Sequence, residues 1–216
     1  MTKPSIALLG GTGKEGPGLA LRWAYNGYTV LIGSRQAEKA AATAAELNES
    51  LGRETVRGYE NAEAARMADL SVLTVQYQAH QAALESLKDA LQGKILIDAT
   101  ARIDFRAPKP PEAPSAGRIA QDLLGPDVRV VAALQTVPAH ALKQDLGEAL
   151  DFDVLVCADD LPAAETAMDL IAGADMRAFY AGGLDNALVV EGLPALLISL
   201  NKHYRVRTAS IRVTGI

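Results

Sequence analysis

Apolar and polar positions along the chain follow two rhythms. Short apolar runs at Ile6–Leu9, Tyr28–Gly33, Leu70–Val75, Lys94–Asp98 and Arg129–Leu134 predict strands. Between them, 16–25, 37–51, 78–91 and 116–124 carry helical spacing; in 78–91, Leu84, Leu87 and Leu91 share one face. Near-continuous apolar strands imply a sheet covered on both faces. Alternation with helices implies parallel strands joined by right-handed crossovers. The pattern continues more weakly through a strand at Asp153–Cys157, a helix at Ala163–Ala172, a short strand at Ala178–Tyr180 and a long helix from Asn186 to Lys202, ending in a tail with Ile211 and Val213. The expected fold class is α/β, a doubly wound parallel sheet with a smaller C-terminal α/β part. The boundary is placed near Pro138 to Leu150, giving a nucleotide-binding domain over residues 1–145 and a small domain over 146–216. Arg102 to Ser115, with Pro108, Pro110, Pro111 and Pro114, breaks the rhythm and predicts a loop. It either borders the ligand crevice at the strand ends or is a solvent-exposed connector.

The glycines sharpen this picture. The first apolar run leads directly into Gly10-Gly11-Thr12-Gly13-Lys14-Glu15-Gly16. Gly11, Gly13 and Gly16 satisfy G-x-G-x-x-G between a strand and a helix, the Rossmann-type context for a dinucleotide pyrophosphate. Free N–H groups and the dipole at the helix start favour the anion, so Gly11, Thr12, Gly13, Lys14 and Glu15 are candidate cofactor contacts. The next strand ends in Gly33-Ser34-Arg35, with Lys39 one helical turn on. An NAD site calls for a carboxylate there. A hydroxyl, a guanidinium and an ammonium instead suit a 2′-phosphate, so NADP(H) is the expected cofactor. The bland alternatives are a glycine-rich turn without ligand and a solvated helix start capped by Ser34.

Composition narrows the partners. The 216 residues are 49% hydrophobic and 22% charged, with net charge −5 and no basic block, which argues against nucleic acid. Cys157 is the single cysteine, so no internal disulfide forms; with no metal-ligand spacing among Cys and His, the expected setting is a reducing cytoplasm without metal. The N-terminus does not read as a signal peptide, and no stretch reads as a bilayer span, so no membrane partner is expected. The helix from Asn186 to Lys202 is apolar on nearly every face, which predicts either a homodimer contact or a core helix of the monomer. His80, His140 and His203 are far apart. His140 is a candidate to approach the crevice, and His203 suits a helix C-terminus. Asp98 and Thr100 end a strand, where they either meet a ligand or cap a turn.

The stretch IALLGGTGKEGPGLALRWAYNGYTVLIGSRQAEKA resembles the N-terminus of NADPH-dependent coenzyme F420 reductases (F420:NADP oxidoreductases). The likeness continues through 69–75, Ala133-Leu134-Gln135-Thr136-Val137-Pro138-Ala139, 157–160, and Gly182-Gly183-Leu184-Asp185-Asn186 with Glu191. It implies a homodimeric oxidoreductase that moves a hydride between NADP(H) and coenzyme F420 or a related ring acceptor. It implies Thr12, Gly13, Ser34, Arg35 and Lys39 as NADP contacts, with Val75, Tyr77 and Ala139 near the nicotinamide or the deazaflavin. Gln135, Pro138, His140 and Asp185 are acceptor-side candidates. Gln135 stands where the family often has His, Tyr77 where it has Trp, Gln76 where it has Pro, and Asp185 where it has Ser. No catalytic acid or base is expected, because hydride transfer between two rings is governed by alignment. Two other readings remain: an NADPH-dependent reductase of a flavin, pterin or imine, and a non-catalytic NADP(H) redox sensor.

Overall fold

The computed structural model describes residues 3–104 and 106–216. Eight strands form one sheet in the order β3-β2-β1-β4-β5-β6-β7-β8. The strands are β1 (Ile6–Leu9), β2 (Val30–Ser34), β3 (Val56–Glu60), β4 (Leu70–Leu73), β5 (Ile95–Asp98), β6 (Arg129–Ala132), β7 (Asp153–Ala158) and β8 (Arg177–Tyr180). The helices are α1 (Gly16–Tyr25), α2 (Ala37–Leu51), α3 (Asn61–Met67), α4 (Tyr77–Leu91), α5 (Ala116–Leu124), α6 (Leu161–Ala172) and α7 (Ala187–Tyr204). The first six strands are mutually parallel. Their order places a topological switch between β1 and β4, where ligands of such sheets bind.

Side chains on a strand point alternately to the two faces, so β1 feeds two cores. Ile6 and Leu8 join Leu19 and Trp23 of α1, Leu47 of α2 and Leu170 of α6. Ala7 and Leu9 join Ala64 of α3, Leu84 and Leu87 of α4, Ala120 of α5 and Val190 of α7. Both faces of the central sheet are therefore covered, and β1, β2, β4 and β5 are buried throughout. Residues after 145 extend the sheet. Strand β7 pairs antiparallel with β6 and parallel with β8. The tail returns beside β7, where the Asp153 N–H donates to the Ile211 carbonyl.

Several boundaries differ from the sequence-based expectation. Strand β3 and helix α3 were not anticipated. In β3 only Val56 is buried, because the strand is an edge whose residues face solvent on one side. Its Gly58 is required by packing: a Cβ there would lie 2.2 Å from the Ala40 backbone of α2. Strand β6 ends at Ala132, two residues early, and Leu134 then takes φ +78°, a costly conformation for a leucine. The expectation that no segment reaches bilayer length also changes. Leu184–Tyr204 has the length and mean hydropathy (1.2) of a span. One face of this helix is nonetheless buried on α5 and β7, and it carries the buried Glu191 carboxylate.

Candidate functional site

The glycine turn is built by close backbone approach. Gly10 has φ +72°, and a Cβ there would fall 2.6 Å from Val75 Cγ1. A Cβ on Gly11 would strike the Leu8 carbonyl oxygen at 2.6 Å, and one on Gly16 would strike that of Gly11 at 2.3 Å. Gly13 is different. Its backbone is not left-handed, and a Cβ would meet only Gly10 and Thr74 oxygens at 3.6 and 3.9 Å. Nothing inside the protein demands glycine at 13. Glycine there leaves the backbone at the start of α1 bare, so a group from outside can approach it. The residues present therefore fit a dinucleotide pyrophosphate.

Two tethers hold the turn. The Gly11 N–H donates to the Gly33 carbonyl at 2.9 Å, linking it to the end of β2. The Gly10 N–H donates to Asn61 Oδ1 at 3.0 Å. Asn61 opens α3, in the stretch where sequence reasoning placed no element. An Asn directly after a short β-rich run was the one available signal.

At the end of β2, the buried Ser34 hydroxyl accepts from the Gln36 N–H at 3.2 Å. Gln36, not Ser34, is the helix N-cap. Arg35 and Lys39 are both exposed, and among the described residues neither is in an ion pair. Two cations outside any of these ion pairs thus flank the Ser34 hydroxyl beside the glycine turn, and they could hold a phosphate.

Glu15 precedes α1 and makes no capping hydrogen bond. The residue is only half-buried, but its Oε1 is sealed from solvent without a partner, and this burial pushes the carboxyl up to about 8. In the unfolded chain the group ionises near 4.5. Between those values the unfolded state has lost the proton and the native state keeps it, so stability falls as pH rises through that window. Glu15→Gln is accordingly expected to raise the melting temperature at pH 8 and leave it unchanged at pH 4. Equal shifts at both pH values would place the carboxyl in solvent.

On the other side of the crevice, Val75 borders the turn through its contact position at Gly10. Tyr77 begins α4 half-buried, stacks on His80 at 6.1 Å between ring centroids, and lies 5.5 Å beneath the Arg102 guanidinium. His80 is buried, with Nε2 2.6 Å from Asp98 Oδ2 and Nδ1 without a partner. Asp98 Oδ1 accepts the Thr100 N–H at 3.0 Å, so the expected turn cap is present. Gln135 Nε2 donates to the Asp98 carbonyl at 3.1 Å, while its Oε1 is sealed and unpaired.

Pro138 and Ala139 are half-buried and His140 is exposed. Leu142, just beyond, packs on Gly18 of α1. This segment is clamped by Arg22, a fully buried residue of α1 that donates to the carbonyls of Leu142 (3.0 Å) and Gln144 (2.6 Å) and pairs with Asp175 at 3.1 Å. The Asp185 side chain is 90% exposed and ion-paired with Arg118 of α5, which also holds Asp159. Cys157 is a buried, free thiol of β7.

Residues 5–102 match the family described as NADP oxidoreductase coenzyme F420-dependent. A protein of Methanothermobacter thermautotrophicus named F420-dependent NADP reductase is 43% identical, across 98% of this chain and 95% of its own length. This chain belongs to that family. A Methanocaldococcus jannaschii protein of the same name is 37% identical, covering 98% of each chain. A solved structure of a putative F420-dependent NADP reductase from Arthrobacter sp. FB24 superposes with a TM-score of 0.81 at 28% identity, over 99% of this chain and all of the other. Within the family match lie the glycine turn, Ser34–Arg35, Asn61, Val75 and Asp98.

Proposed function

We propose that the protein is an NADP(H)-dependent oxidoreductase that moves a hydride between NADP(H) and coenzyme F420. The observation that carries this reading is the pairing, in a member of this family, of a turn left open at Gly13 with the exposed Arg35 and Lys39 cations beside Ser34. The bound rings supply the chemistry: NADPH, oxidised F420 and one proton give NADP+ and reduced F420, the hydride leaving the nicotinamide C4. The protein's part is to bind and align. Gly11, Thr12, Gly13, Lys14 and Glu15 receive the pyrophosphate at the start of α1. Ser34, Arg35 and Lys39 take the 2′-phosphate, and Val75, Tyr77 and Ala139 flank the nicotinamide. Gln135, Pro138 and His140 border the acceptor, with Asp185 at the outer rim. Mixing the purified protein with NADPH and oxidised F420 should bleach the deazaflavin absorbance. Absence of bleaching across the pH range in which the protein is folded would overturn the reading.

Residues 146–216 are proposed to supply a dimer face beside the acceptor side. On α7, Val189 (70% exposed), half-buried Leu193, Leu196 (59%) and Leu200 (44%) follow one another at spacings of four, three and four, a single apolar stripe. A second copy is the occupant that hides such a stripe on a two-fold axis. Leu196→Glu should convert the dimer to a monomer in sedimentation, with the melting temperature of the isolated chain little changed. A wild-type monomer would reject the dimer. The single buried thiol supports a reducing, cytoplasmic setting.

A further inference from the structure

Asp98 joins three strand ends. Its Oδ2 meets His80 Nε2 at 2.6 Å, its Oδ1 takes the Thr100 N–H, and its carbonyl takes the Gln135 amide. The Thr100 hydroxyl in turn donates to the Val75 carbonyl at 3.4 Å. The His80 and Tyr77 rings stack, and the Arg102 guanidinium lies over the Tyr77 ring while donating to the Glu112 and Pro114 carbonyls. Neither His80 nor Asp98 has more than 1% of its side chain exposed, so water cannot replace this contact. A buried ionisable pair of this kind costs desolvation that apolar packing would avoid. What it supplies is geometry: the ends of β4, β5 and β6 share one anchor, on the side of the crevice opposite the 2′-phosphate set.

We propose that His80 is a positioning residue for hydride transfer: bound to Asp98, it holds Tyr77 and the ends of β4, β5 and β6 in the arrangement that aligns the nicotinamide with its acceptor. The inference rests on the hydride-transfer reading above. His80 does not touch the reacting atoms; it acts through Tyr77 and the strand ends. The groups that face it are Asp98 from β5, Glu191 from α7 and Tyr77 from its own helix, with Arg102 beyond Tyr77. Burial by itself would lower the imidazole, but the hydrogen bond and charge of Asp98, with the charge of Glu191, hold it above its ordinary value. Glu191 is bound by the Ala116 and Gly117 N–H groups at the start of α5; burial outweighs them and pushes its carboxyl up to about 7. Cys157, which also feels Glu191, is pushed by burial to about 11 and stays a thiol. Asp98 thus favours the protonated imidazole, and the bridge weakens as pH rises through the raised value.

The chain has three histidines, of which His140 and His203 are exposed, so the imidazole signals can be followed individually by NMR. His80 should titrate above the ordinary imidazole value, and kcat for F420 reduction should fall along an alkaline limb that matches it. Asp98→Asn keeps the side-chain volume and removes the charge. It should move the His80 titration and the kcat limb together to lower pH, and lower kcat about 100-fold at neutral pH through misalignment. NADPH affinity, measured by fluorescence titration, should change less than about threefold, because binding energy and alignment are separate quantities. His80→Gln, which retains one hydrogen bond to Asp98, should recover part of kcat and lose the pH limb. An alkaline limb that does not follow the His80 titration, in wild type alone, overturns the proposal whether or not the variants fold. So does an Asp98→Asn protein with unchanged kcat. A wild type that binds NADPH but never reduces F420 would instead reject the functional reading.

Discussion

Gly13→Ala is expected to leave the protein folded and to remove most of its affinity for NADPH. The added methyl would sit 3.6 Å from the nearest protein atom, an ordinary contact, and the backbone at 13 is not left-handed. The melting temperature should therefore move little, as for a surface substitution, within roughly 0.5 kcal/mol of stability. In the complex the same methyl stands between the backbone and the pyrophosphate. Overpacking of that kind costs about 1–3 kcal/mol, which is roughly 5- to 150-fold in affinity. Gly16→Ala should reverse the pattern. Its Cβ would lie 2.3 Å from a backbone oxygen that cannot swing away, so the loss appears first in stability. Thermal melts and NADPH fluorescence titrations on the two variants separate the cases. A Gly13→Ala protein that binds NADPH as tightly as wild type would show that no phosphate approaches this turn.

Arg35→Ala is the second large effect, and it discriminates between cofactors. A hydrogen bond to a charged group contributes about 1.5–3 kcal/mol, so losing it should weaken NADPH binding roughly 10- to 100-fold. NADH lacks the 2′-phosphate and should be almost unaffected. Because Arg35 is exposed, the effect will shrink with added salt, and the comparison needs fixed ionic strength. Lys39→Ala should give a smaller loss of the same sign, since an ammonium acts as a point charge where guanidinium offers a fork. The two losses will not add if both side chains grip one phosphate. Equal weakening of NADPH and NADH in Arg35→Ala would remove the phosphate role.

Much of the scaffold is legible from local pattern. The limits of β1, α1, α2 and α5 coincide with the expected ones, because each joins a sharp apolar signature to a glycine, proline or polar stop. Strand β3 and α3 escaped because an edge strand buries one residue and a seven-residue helix shows barely two turns of pattern. That omission also hid Asn61, the support of the glycine turn. Arg22 likewise gave no local sign: a charged residue within an amphipathic helix reads as solvated, and it is buried only because four later carbonyls and Asp175 converge on it.

From the order of residues alone follow the α/β alternation, the glycine turn and the basic strand end proposed to receive the cofactor, since each lies within a few neighbouring positions. Tertiary structure alone decided that Gly13 is open while Gly11 and Gly16 are closed, and that His80 meets Asp98. It also decided that Glu191 reaches the start of α5 from 75 residues away, and that Asp185 pairs with Arg118. The reason is physical. A local pattern records which face of an element is buried, but polar partners distant in sequence meet only once the strand order brings their elements together.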